Sequence, residues 1–139
     1  PTPQKSHYSF NLRDIWKVFQ GICSLTAKTV AQPITMARCL CHENLRVYGD
    51  RLVDEKDRSW LKERLEVGVS NRLGLSIDHV FHTERLIFGS FIDTGAAERS
   101  YIEIEDLQML KSTIEQMLDD YNNINTSPMN LVMFMDACE

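Results

Sequence analysis

The chain has 139 residues, 43% of them hydrophobic, with 15 basic and 20 acidic side chains, a net charge of -5 and a pI of about 5.4. That length supports one ordinary core and one domain, and the acidic balance argues against a nucleic acid or an anionic membrane as partner, because both favour a basic face. No run of about 18 apolar residues and no charged-then-apolar leader occurs, so neither a membrane span nor a secretion signal is predicted.

Residues 1–10 carry Pro1, Pro3, Tyr8 and Phe10 and read as an extended lead-in whose aromatics clamp onto something that precedes it. Asn11 is a good N-cap, and Asp14 three residues later is the shorter analogue of the glutamate in a capping box, so a first helix is expected from Leu12 to about Cys23. Leu12, Ile15, Trp16, Phe19, Ile22 and Cys23 recur at helical spacing and are expected to form its buried face. Arg13 lies off that face in the first turn, where a cation opposes the helix macrodipole. First-turn amides and a guanidinium together suit a phosphate, which would explain the placement. A solvated arginine paired with Asp14 or a neighbour is the commoner arrangement on pattern alone.

Ser24 to Gln32 reads as a polar loop, and Pro33 is placed to open a second helix. Its stripe runs through Ile34, Ala37, Cys41, Leu45, Tyr48 and Leu52, with Arg38, Glu43, Arg46 and Asp50 expected on an exposed side. Asp54 caps a third helix, which Trp60, Leu61, Leu65 and Val69 bury and Gly74 stops. A short helical turn is expected around Asp78 to His82. Tyr101 to Ile104 alternates like a half-buried strand and can pair with the Leu86 to Phe91 run. A long helix follows from Glu105 to Tyr121, with Leu107, Leu110, Ile114, Met117, Leu118 and Tyr121 on one side. Ser127 and Pro128 are expected to start a last helix through Met129, Leu131, Val132, Met133, Phe134 and Met135, apolar nearly all round. The fold class is therefore mostly α, a small helical bundle with a short two-stranded β element. The start at Pro1 and the end at Glu139, in what reads as mid-helix, suggest a piece of a longer protein.

Little in the chain carries chemistry by itself. There is no phosphate loop, no Gly-rich dinucleotide turn and no Ser or Cys triad. Cys23, Cys39, Cys41 and Cys138 lack the spacing of a disulfide scaffold, so reduced thiols are expected. Cys39, Cys41 and His42 point to different helix faces and are assigned to packing rather than metal. His79 and His82, near Asp78 and Glu84, have no third His or Cys ligand nearby and are read the same way. Asp119 and Asp120 are read as a solvated pair, and Met129, Met133 and Met135 as core or interface.

The segments PTPQKSHYSFNLRD, CHENLRVYGDRLVDEKDRSW, LIFGSF, YIEIED and DYNNINTSPMNLVMFMDA, in that order along essentially the whole chain, resemble the dynein heavy-chain family, and KSHYSFNLRD is closer to its axonemal members. The resemblance implies the small helical lid of the third AAA+ module of the motor ring (residues 1–126, with its following connector) and the first helix of the fourth module (residues 127–139). One departure is Cys41, which stands where an aromatic or other large residue commonly precedes the His-Glu pair. By resemblance, Arg13 is the sensor arginine that reaches a nucleotide held by the neighbouring large subdomain. The implied parent is an ATP-driven, minus-end-directed microtubule motor in the cytoskeleton, of the cilium or flagellum axoneme. It would use ATP or ADP with Mg, while the lid itself is non-catalytic and binds no cofactor alone. The implied partners are neighbouring AAA+ subdomains of the same chain, with microtubules and other dynein chains reached through the parent, and neither nucleic acid nor membrane. The alternative is a free-standing helical interaction module that presents its Met-rich C-terminal helix to a partner.

Overall fold

A computed structural model describes residues 3–83, 85–92 and 100–132. Five α-helices and a two-residue antiparallel ribbon make up the described part, matching the mostly α reading: α1 (Leu12–Cys23), α2 (Pro33–Tyr48), α3 (Glu55–Gly68), α4 (Ile77–Val80), β1 (Phe88–Gly89), β2 (Ile102–Glu103) and α5 (Leu107–Ile124). Phe88 pairs with Glu103 and Gly89 with Ile102, and the Ile104 amide adds a bond to the Ile87 carbonyl.

The central element is α2. Ala37, Cys39, Cys41, His42, Glu43 and Val47 are all buried, although these positions point round the whole helix. The expected exposed side is therefore corrected at Glu43, which is 0% exposed. Its carboxylate accepts from the Tyr101 hydroxyl and from Arg46, whose Nη2 lies 2.6 Å away, so the buried charge is satisfied from two sides. Among the described residues His42 is held on one side only, its Nδ1 donating to the Leu86 carbonyl at 2.8 Å, and burial holds its pKa below the usual histidine value.

Alternation along the first strand divides the apolar residues between two clusters. Leu86 and Phe88 join Ala37, Cys39, Cys41, Val69 and Val80 against α2. Ile87 turns the other way and meets Ile104 and Leu110, which anchors α5. Cys41 fits the first cluster as a small, fully buried side chain. The third helix contributes Leu61 and Leu65 half-buried, but Trp60 is exposed, contrary to the expected buried set. It runs on through a π-helical turn, Val69–Leu73, to Gly74, whose φ of 64° is the left-handed stop expected there.

The lead-in also differs from expectation. Its aromatics close onto residues that follow them: Phe10 stands edge-on to Tyr48 at 5.4 Å, and the Val53 amide donates to the Tyr8 hydroxyl oxygen at 3.0 Å. Lys5 pairs with Asp54 and Asp57, and the Asp54 side chain makes no cap bond to the helix it precedes. After α5, the described residues to Val132 are not helical, so the helix expected from Pro128 is absent there. The Asn122 amide accounts for this, since it takes both the amide and the carbonyl of Met129 at 2.7 and 3.0 Å. Met133 to Glu139, the rest of that expected helix, lie outside the described residues.

Candidate functional site

The first turn of α1 is held tightly. Asn11 and Asp14 form the reciprocal capping box, the Arg13 amide donating to Asn11 Oδ1 at 2.8 Å and the Asn11 amide to Asp14 Oδ2 at 2.9 Å. Asp14 is only 2% exposed, and Arg51 reaches it with both terminal nitrogens, Nη2 to Oδ1 at 2.6 Å and Nη1 to Oδ2 at 3.1 Å. This fork holds the Asp14 carboxyl below its usual pKa, with the Asn11 amide contributing. Arg51 also donates to the Ser9 carbonyl at 3.2 Å and stacks over Phe10 at 5.8 Å. The turn carrying Arg13 is thus riveted to the short turn, Gly49–Arg51, that follows α2.

With Asp14 occupied in this way, Arg13 is not its partner. The Arg13 side chain is exposed and makes no hydrogen bond or ion pair with the described residues. Its amide and that of Asp14 are already spent within the cap, so an anion here would meet the guanidinium rather than the amides expected to share the task.

The apolar stripe of α1 is turned outward. Leu12 is 82% exposed, Trp16 60%, Phe19 59% and Ile15 46%, which reverses the expectation that these residues are buried. The inward side instead carries Asp14, Val18 and Gly21, one above another at spacings of four and three. Gly21 lets α1 approach so closely that the Glu43 carboxylate occupies the space a Cβ would fill. Arg13 therefore sits one turn before Trp16, at the flank of an uncovered apolar surface. Periodicity does not show the Asp14–Arg51 link because it joins residues 37 apart; Gly21 in the last turn of α1 is the available signal of close approach.

The other sequence candidates divide. Cys39 and Cys41 are buried thiols, each pushed up to about 12 chiefly by burial, and His42 bonds to a backbone carbonyl, consistent with packing. His79 offers its carbonyl to Arg38, Nη2 at 2.6 Å, while His82 lies beside Glu103 and Glu105. Asp119 and Asp120 are exposed on α5.

Residues 1–83, which contain α1 to α4, match the AAA+ lid domain model. The chain belongs to the AAA+ lid domain family. The likeness to individual proteins continues beyond residues 1–83, across the ribbon and α5. The chain is 42% identical over 137 residues to mouse "Dynein axonemal heavy chain 1", covering 99% of this chain and 3% of that protein. It is 39% identical over 142 residues to human "Dynein axonemal heavy chain 6", covering 100% of this chain and 3% of that protein. With mouse "Dynein axonemal heavy chain 12" the identity is 37% over 154 residues, covering 100% of this chain and 5% of the relative.

Proposed function

We propose that this lid serves a dynein heavy chain of the axoneme as a non-catalytic nucleotide-responsive element and inter-module connector. In this reading residues 1–126 are the lid of the third AAA+ module with its connector, and residues 127–139 enter the fourth. The parent is an ATP-driven microtubule motor, and the nucleotide and its Mg are held by the adjoining large subdomain rather than by this chain.

The observation that carries the reading is the outer side of α1, where an unpartnered Arg13 flanks the exposed Leu12, Ile15, Trp16 and Phe19. An apolar surface of that kind marks a site of docking, and a guanidinium at its edge suits a phosphate held by the docked subdomain. The Asp14–Arg51 fork gives the contact a mechanical consequence, because a pull on the first turn reaches the junction of α2 and α3 through a partly buried ion pair. Movement of the phosphates is thereby converted into a change of lid angle.

In an intact motor carrying this lid, Arg13→Ala should weaken nucleotide binding at the third module by roughly ten- to hundredfold, corresponding to about 1.5–3 kcal/mol for a hydrogen bond to a charged group. The lid itself should remain folded, since Arg13 supports nothing within it. Unchanged nucleotide affinity and unchanged motility would overturn the assignment.

A further inference from the structure

The segment after α4 and the end of the ribbon bring together three side chains for which the lid reading has no use. His82 follows α4, Glu103 lies on β2, and Glu105 immediately precedes Asp106, the N-cap of α5. His82 Nε2 is 3.3 Å from Glu105 Oε1, and Nδ1 is 4.0 Å from Glu103 Oε1. One ligand-capable atom from each residue lies within 4.8 Å of the other two.

The state of Glu103 separates this group from a chance meeting of surface charges. Its Oε2 is held by Arg38 Nη1 at 3.3 Å, and Arg38 is itself anchored by bonds from Nε and Nη2 to the His79 carbonyl at 3.0 and 2.6 Å. Its Oε1 is buried and has no hydrogen-bond partner among the described residues. A carboxylate oxygen left bare beside an imidazole lacks compensation for its desolvation. A cation placed between them would supply it, with Arg38 acting as the group that orients the ligand from behind.

We propose that His82, Glu103 and Glu105 form a site for a divalent transition-metal ion of the zinc class. One imidazole nitrogen and two carboxylate oxygens suit Zn²⁺ or Co²⁺, whereas Mg²⁺ and Ca²⁺ prefer shells of oxygen alone. Ligand atoms around a tetrahedral ion with bonds of about 2.1 Å stand roughly 3.4 Å apart, so the site closes by rotation of the more exposed His82 and Glu105 towards the fixed Glu103. Water completes the coordination. The ion would bolt the segment after α4 to β2 and to the start of α5.

The test is titration of the 139-residue chain with Zn²⁺ and separately with Co²⁺, following thermal unfolding and the visible spectrum of cobalt. Zn²⁺ should raise the unfolding midpoint while equimolar Mg²⁺ does not, and Co²⁺ should bind without a thiolate charge-transfer band. His82→Ala and Glu105→Gln should each weaken binding at least tenfold, with the circular dichroism spectrum of the metal-free chain unchanged. Absence of a Zn²⁺-dependent shift, retention of full affinity in either variant, or a thiolate band placing the metal on cysteine would overturn the site.

Discussion

Replacing Gly21 by alanine probes how α1 is seated. A Cβ built at Gly21 falls 2.0 Å from Glu43 Cδ, 2.1 Å from Oε1 and 2.5 Å from Oε2. The end of a glutamate side chain ordinarily swings aside from such a contact at little cost. Here it is 0% exposed and tied to Tyr101 and Arg46, so moving it breaks both bonds or drives the helices apart. Hydrogen bonds to a charged group contribute about 1.5–3 kcal/mol each, and overpacking of a filled site costs about 1–3 kcal/mol. Against this stands a gain of about 1 kcal/mol from alanine's better helix propensity. With both bonds broken the net expectation is destabilisation of about 2–5 kcal/mol, lowering the melting midpoint by on the order of 10 °C for a domain of this size. Urea and thermal unfolding followed by far-UV circular dichroism measure it directly. In a Glu43→Ala background the same substitution should be neutral or slightly stabilising, giving a coupling of several kcal/mol in a double-mutant cycle. A neutral Gly21→Ala in the otherwise unchanged chain would refute the close seating of α1 on α2.

The folded pKa of Asp14 is depressed by Arg51, and that of Asp57 by Lys5. Both groups therefore stabilise the fold above the ordinary carboxylate pKa of about 3.9, and the contribution is lost as pH falls through their folded values. The Asp14 and Asp57 contributions should stay level from pH 7 to about 5 and be lost below about 4, so the acid limb of the melting midpoint should be less steep in Asp14→Asn than in the unchanged chain; an identical acid limb in that variant would count against the Asp14–Arg51 link. Cys39 and Cys41, pushed up to about 12, hold almost no thiolate at pH 8, whereas Cys23 is exposed. Iodoacetamide with peptide mapping should accordingly modify Cys23 in the native chain and reach Cys39 and Cys41 only after denaturant, and rapid native labelling of either buried thiol would contradict the packing.

The resemblance that points to a lid runs through the order of short segments, and it was readable without coordinates. The outer side of α1, on which the proposed function rests, was read only in part. Arg13 stood out because a first-turn cation conflicts with the macrodipole, yet its surroundings depended on residues far along the chain. The grouping of His82 with Glu103 and Glu105 is not legible in the sequence, because the two carboxylates lie far along the chain and reach His82 only through the ribbon.

Local chemistry in the sequence determined where α1 begins, how its first turn is capped, where Pro33 opens α2, which residue stops the third helix and which runs pair as strands. These depend on groups a few residues apart, whose geometry is set by backbone sterics and nearby hydrogen bonds. Tertiary structure alone decided which side of α1 is inside and that Glu43 of α2 is buried, whereas the α5 stripe through Leu107, Leu110 and Ile114 packs inward as its spacing predicts. The apolar stripe of α1 faces outward because Asp14 finds Arg51 and Gly21 admits Glu43, so the polar side is the one with partners in this chain. Periodicity reports that a surface needs covering, and contacts between distant residues determine what is available to cover it.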